Sequence, residues 1–301
     1  MARAHHEAAP SVDQSYACRY PPTSHFGWSA SIVSRFGLPS LPINSGTGNF
    51  RRMTVSELET EEARAAADGG RVKRDYVRRT FGQIAPTYDR LNHILSLNVD
   101  RGWRRKAIAA LEWTRAPRGT YVDLCAGTLD VAAELSRSRG FEGRVVGADF
   151  AEPMLRAGQG KAPRAVVWPV VADALDLPLR DGDASGAIVA FGIRNVTDLD
   201  ASLREIHRVL APGARFVILE FTTPRLAVVR WPYHFYCHRV LPRIGAMLSG
   251  HGSAYAYLPR SVANFPPERE LADRMSRAGF ADVGWRSLSL GIAAIHTGRK
   301  A

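Results

Sequence analysis

Five short apolar runs separated by helical stretches limit this chain more than any other feature. The runs are YVDLC (121–125), RVVGAD (144–149), AVVWPVV (165–171), GAIVAFG (186–192) and RFVILEF (215–221). Each has the length of a strand, while the intervening LDVAAELSRSR and LDASLREIHRVL repeat apolar residues at helical spacing. Strand, helix, strand at this interval predicts a mostly parallel sheet with helices on both faces. The alternation lapses after EFTTP; PERELADRMSRAGF then gives one more helix, and VGWRSLSL with IAAIHTGR closes the chain as an expected antiparallel pair.

The segments flanking this pattern read differently. Residues 1–52 are rich in Ser, Pro, Gly and His and show no sustained period. We read 1–70 as a disordered or weakly structured extension, with translation from Met53 and an organelle-transit segment as alternatives. In the domain 71–301, residues 71–112 form a helical lid: Val77, Phe81 and Ile84, then Tyr88, Leu91 and Leu95, fall on helical faces, with Pro86 marking a break. Residues 225–265 form an insertion on the substrate side. Composition, 46% hydrophobic and 23% charged, is that of a globular protein. Three scattered cysteines suggest a reducing compartment and no zinc site, and His234 with His238 lacks a third ligand, so no metal is expected. The net charge of +11 comes with only four lysines. It is compatible with nucleic acid, an anionic membrane or an arginine-biased proteome.

The loop DLCAGTLD (123–130) follows the first strand, where a parallel sheet binds its ligand. Gly127 allows close approach of a ligand, and the helix start behind it can receive a carboxylate. Asp149, ending the second strand, is placed to accept from ribose hydroxyls; Asp173, ending the third, from an adenine amine. The loop lacks the three glycines of a dinucleotide fingerprint. A ligand with adenosine but no pyrophosphate fits better, and S-adenosylmethionine is one.

Several blocks then carry a resemblance. YDRLNHILSLNVDRGWRR (88–105) and RVLAPGARFVILEFT (208–222) resemble the two signatures of the ubiquinone/menaquinone-biosynthesis C-methyltransferases. FGIRNVTD (191–198), LPRIG (241–245) and YAYLPRSVANFP (255–266) follow the same pattern in order, so the likeness covers about residues 72–300. It implies the class I S-adenosylmethionine-dependent methyltransferase fold and methyl transfer to a ring carbon of a prenylated quinol. Carried over, the cofactor positions are Gly127, Thr128, Asp149, Asp173 and Ala174. The chain departs from the family where Ala126 and Leu129 stand for glycine. We expect Leu129 to open its helix at negative φ, its side chain crowding the cofactor's methionine part, so that glycine there would be tolerated or helpful.

For the chemistry, Arg194 and Asn195 in FGIRN lie after the fourth strand, where they could hold the quinol hydroxyl or its anion. Asp130 is the nearest carboxylate in the loop, with helix-start stabilisation as its other reading. Tyr88 and Asp89 help to close the cleft or only pack. The acceptor is expected to be demethylmenaquinol, although no single residue distinguishes it from the ubiquinone precursor or another lipophilic acceptor. A nucleic-acid partner is not expected, nor is a NAD-linked reductase, and a homodimer is left open. Segment 71–106 holds ten basic residues against three acids, and 225–243 adds four arginines and no acid. With Trp231, Tyr233 and Phe235 these predict reversible peripheral contact with the inner face of the cytoplasmic membrane.

Overall fold

The computed structural model describes residues 66, 70–96, 98–240 and 252–301. The expectations for most of the N-terminal extension, including a start at Met53, and for the LPRIG block fall outside these residues.

Seven strands form one sheet in the order β3-β2-β1-β4-β5-β7-β6. They are β1 (Thr120–Leu124), β2 (Arg144–Asp149), β3 (Val167–Val171), β4 (Ala184–Ala190), β5 (Leu210–Phe221), β6 (Phe280–Leu288) and β7 (Ala293–Lys300). The first five pair in parallel, with Val122 opposite Val146 and Ala187. Strand β7 runs antiparallel to both β5 and β6, as the closing pair of the sequence suggests. Two strands are longer than their apolar runs: β5 begins at Leu210 and β6 at Phe280.

Before the sheet come α1 (Gly70–Ile84), α2 (Tyr88–Leu95) and α3 (Val99–Ala110), with a turn at Pro86 between the first two. Within and after it lie α4 (Asp130–Ser136), α5 (Glu152–Ala157), α6 (Leu199–Val209), α7 (Ala227–Phe235), α8 (Gly252–Ala263) and α9 (Glu268–Arg277). Helix α6 starts where the Asp198 carboxylate accepts from the Ala201 N–H at 2.9 Å, a cap worth about 1 kcal/mol.

Successive strand residues point to opposite faces, and both faces of this sheet are covered. On β5, Phe216 and Ile218 join a core with Leu203 and Ile206 of α6 and Leu271 and Met275 of α9. Val217 and Leu219, one position on, join the other core with Trp103, Ala107 and Ile108 of α3 and Ala132 and Leu135 of α4. Each such Leu or Ile contributes about 1.5–3 kcal/mol by leaving water. This two-sided burial fixes the sheet and brings the carboxyl ends of β1 to β5 to one edge, where the loops meet α1 and α8.

Candidate active site

Strand β1 ends at Leu124, and the chain then turns on alternating left-handed residues: Cys125 at φ 52°, Gly127 at 51° and Leu129 at 64°. The Asp149 carboxylate fastens this turn from the neighbouring strand end. Its Oδ2 accepts from the Gly127 N–H and its Oδ1 from the Ala151 N–H, each at 2.8 Å. Burial pushes the Asp149 carboxyl up, and the two N–H bonds work against that.

Leu129 corrects an expectation. Its φ of 64° is not negative, and its side chain does not point toward the ligand; it is buried in the core with Val131 and Leu135. It fills space over Gly147, where an added Cβ would collide with Leu129 Cδ2. Burial of about 2 kcal/mol offsets left-handed strain of about 1–2 kcal/mol. Replacement by glycine would relieve the strain but leave a core cavity costing about 2–5 kcal/mol, a net loss.

Two cavities adjoin beyond the strand ends. The smaller, about 70 Å³, is lined by Gly127, Asp149, Asp173, Ala174 and Asn195. The larger, about 360 Å³, is lined by Gly127, Thr128, Asp130 and Arg194, and by aromatic residues including Tyr88, Trp103, Phe221 and Tyr257. Phe81, Tyr88, Cys125, Gly127, Ala190 and Phe191 line both and form the seam. All eight sequence-derived site residues therefore lie on one or other of two connected spaces.

Helix α1 borders the smaller cavity through Arg74, Val77 and Phe81, and two consecutive basic residues tie it to the strand ends. Arg74 pairs with Asp173 at 2.8 Å, and Lys73 Nζ donates to the Arg194 carbonyl at 2.7 Å. Burial, helped by the Arg194 charge, lowers the Lys73 amine to about 8.

Arg194 is buried after β4 in a short 3₁₀ turn. Its guanidinium donates to Glu220 Oε1 at 2.7 Å and to the Phe191 carbonyl, while its buried Nε–H has no partner among the described residues. Burial opposes the charge, but the Glu220 carboxylate outweighs it and keeps Arg194 cationic. Asn195 Oδ1 accepts from Tyr257 Oη at 3.0 Å, which ties this turn to α8. Burial pushes the Tyr257 phenol up to about 12.

Asp130 sits in a chain of alternating charges. Arg104 donates to it at 2.6 Å and Lys161 bonds its other oxygen; Lys161 also reaches Asp89 at 2.6 Å, and Arg104 also bonds Asp100. Thr128 Oγ1 donates to Asp89 at 2.5 Å. Burial would raise the Asp130 carboxyl, but Arg104 and Lys161 hold it below the usual range. Asp123, buried beneath the loop, accepts from the Ala132 N–H at 3.0 Å and faces the larger cavity; burial pushes its carboxyl up to about 7.

Sequence reasoning gave Glu220 and Tyr257 no role of their own and counted Lys73 and Arg74 only among the basic residues of the segment expected to meet the membrane. Only Glu220 left a signal: an acid inside the apolar run RFVILEF must meet a cation or be neutralised.

Comparison with known proteins follows the same outline. The model of the ubiE/COQ5 methyltransferase family matches residues 70–300. A ubiquinone/menaquinone biosynthesis C-methyltransferase UbiE of Geobacter sulfurreducens is 43% identical over 232 residues, 76% of this chain and 90% of that protein. A demethylmenaquinone methyltransferase of Thermus thermophilus is 46% identical over 222 residues, 72% of this chain and 98% of that protein. Among solved structures, a possible histamine N-methyltransferase of Thermotoga maritima superposes with a TM-score of 0.51 at 20% identity, covering 73% of this chain and 98% of that one. At that identity the likeness concerns the fold alone.

Proposed function

The chain belongs to the ubiE/COQ5 methyltransferase family, and from that premise we propose that it methylates a ring carbon of a prenylated quinol, converting demethylmenaquinol to menaquinol. The observation that carries this reading is the pair of joined cavities, the smaller holding the strand-end carboxylates Asp149 and Asp173, the other larger and lined by aromatic residues.

The polar groups around the smaller cavity suit a nucleoside without pyrophosphate once Arg74 moves aside. The cavity offers one buried carboxylate, Asp149, and a second, Asp173, reached by moving Arg74. In this reading Gly127, Thr128, Asp149, Asp173 and Ala174 hold S-adenosylmethionine, which when bound supplies a methyl group on a sulfonium. The acceptor ring occupies the larger cavity, its reacting carbon at the seam. For the ring carbon to take the methyl, the adjacent hydroxyl must give up its proton, although a free phenol ionises only near pH 10, and the ring hydrogen then leaves as a proton to restore the aromatic quinol. Arg194 lowers that cost by standing beside the oxygen, with part of its field already met by Glu220. Asn195, its amide oriented by Tyr257, lines the smaller cavity next to Arg194, so in this reading it reaches the ring oxygen only if the ring edge projects across the seam. Asp130 has a cation on each oxygen, so we assign it to the cavity wall and not to proton transfer.

We read residues 71–112 as the lid and 225–265 as the substrate-side insertion. Among the described residues no helix is long and apolar enough to cross a membrane. A long-tailed acceptor must still be met at the bilayer, and α7 supports peripheral docking there. It buries no residue, and Val228 and Trp231 are 80% and 75% exposed. Leu226, Phe235 and Leu290 add exposed apolar area beside Tyr233, Tyr236 and Ser289 of the larger cavity. Arg225 and Arg230 flank them, with no acid between 221 and 240. In this reading the enzyme works at the inner face of the cytoplasmic membrane; whether it does so as a homodimer is a matter for light scattering.

The test is mass spectrometry of quinones in cells with and without the gene. Loss of the gene should accumulate the demethyl quinone one methyl lighter, and an unchanged quinone profile would reject the reading.

A further inference from the structure

Phe191 has a backbone that calls for an explanation. Strand β4 ends at Ala190, and Phe191 takes φ 60°, a left-handed conformation rare for a bulky residue. Two contacts hold it there. Its N–H donates to the Leu219 carbonyl at 2.8 Å, and its own carbonyl accepts from the Arg194 guanidinium. Strain kept in place by its surroundings is typical of sites where a side chain must point in one direction.

That direction is the seam. Phe191 lines both cavities and is only half-buried, whereas its neighbour Trp103 is buried. Its ring centroid lies 4.5 Å from that of Phe221, with the planes 33° apart, and 6.1 Å from Trp103. Trp103 meets Phe221 edge-on at 6.2 Å, and its Nε1–H is satisfied by Ser289 Oγ at 3.0 Å, which fixes the ring. The Arg194 guanidinium stands 5.6 Å from the Phe221 centroid. Three aromatic rings and one cation therefore make one wall of the larger cavity, with Phe191 at its boundary with the smaller.

A wall of this kind suits a flat, electron-rich ring, which gains by offset stacking beyond the area it buries. A fused two-ring acceptor covers more of it than a single ring. We propose that Phe191, backed by Phe221 and Trp103, stacks the acceptor ring and sets its accepted width, favouring bicyclic quinols over monocyclic ones. The proposal rests on the quinol reading above and names the residue that discriminates within it.

The experiment compares wild type, Phe191→Leu and Phe191→Tyr on a naphthoquinol and a benzoquinol with the same short tail, together with calorimetric titration of S-adenosylmethionine. Leucine keeps apolar bulk without a π face; tyrosine keeps the face. Phe191→Leu should raise KM for the bicyclic acceptor roughly 10-fold and for the monocyclic one about 3-fold. Cofactor affinity should stay within about 2-fold, and Phe191→Tyr should restore the wild-type ratio. Equal changes for both acceptors, no change, or loss of cofactor binding would each overturn the stacking role. Should Phe191→Leu fail to fold, Phe221→Leu carries the same comparison, and a ring-independent effect there counts against the proposal. If wild type turns over neither quinol, the quinol reading fails. Binding of a tail-less naphthoquinol to wild type and Phe191→Leu then tests stacking by itself, and equal affinity rejects it.

Discussion

The two cavities are built by different means. The smaller draws its carboxylates and amide from strand ends, with Arg74 of α1 the one charged residue among those described that is added from outside: Asp149 closes β2, and Asp173 and Asn195 follow β3 and β4. The larger is completed by helices outside the alternating pattern, through Tyr88 of α2, Trp103 of α3, Tyr233 of α7 and Tyr257 of α8. The sheet sets the first by geometry common to many ligands. The second depends on pieces added around it, joined to the strand ends by single contacts such as Tyr257 to Asn195. Damage to a strand end should therefore be felt as lost affinity or stability, and damage to the added helices as changed acceptor handling.

Arg194 lines the larger cavity next to Asn195 of the smaller, and its loss should have the largest effect. Arg194→Ala should lower kcat on the order of 10²–10³-fold, the range for a lost oxyanion donor. It also leaves Glu220 buried without its cation, which costs about 3–5 kcal/mol of stability. The double variant Arg194→Met with Glu220→Gln should regain most of that stability in thermal melts but not turnover. A double variant with normal kcat would remove Arg194 from the chemistry.

On the sheet side, Asp149→Ala should weaken S-adenosylmethionine binding about 10- to 150-fold by calorimetry, while acceptor preference stays as it was. Unchanged cofactor affinity would show that the smaller cavity is not the cofactor's.

Asp123 tests the same side through pH. Its folded carboxyl titrates near 7 and its unfolded one at the ordinary 3.8, so between these values the folded state holds the extra proton. Its contribution to stability is full below about pH 4 and lost as pH rises through about 7. Melting curves of Asp123→Asn should lack this decline, and parallel curves for variant and wild type would contradict the assignment.

The smallest effect is expected on the added side. Arg230→Ala should weaken sedimentation with anionic vesicles about 5-fold and leave turnover of a short-tailed quinol unchanged. Equal binding of wild type to neutral and anionic vesicles would leave the docking face without support.

The same division explains what could be read from the sequence. Strands buried on both faces leave continuous apolar runs, so the sheet and the residues just past each strand follow from position. Leu129 was misjudged because the side chain that tolerates its φ of 64° does so by filling space over Gly147, a contact between strand and loop with no local signature. The roles of Lys73, Arg74 and Tyr257 were invisible for a related reason. Their partners lie 121, 99 and 62 positions away, and a basic or aromatic side chain on a helix looks the same whether it faces solvent or spans a cleft. Glu220 was legible in principle, as an acid amid Val, Ile, Leu and Phe; its partner was not.

The two contacts from α1 impose an order in time. In the proposed reading Asp173 receives the adenosine, and because Arg74 already pairs with that carboxylate it would have to leave before the ligand could bind there. Capture of the cofactor is then a two-step event whose first step breaks an ion pair. Salt screens that pair, so added salt should speed the observed capture rate, whereas it slows any partner drawn in by long-range attraction. Stopped-flow traces at rising ionic strength would show which regime holds, and Arg74→Ala should make the rate indifferent to salt.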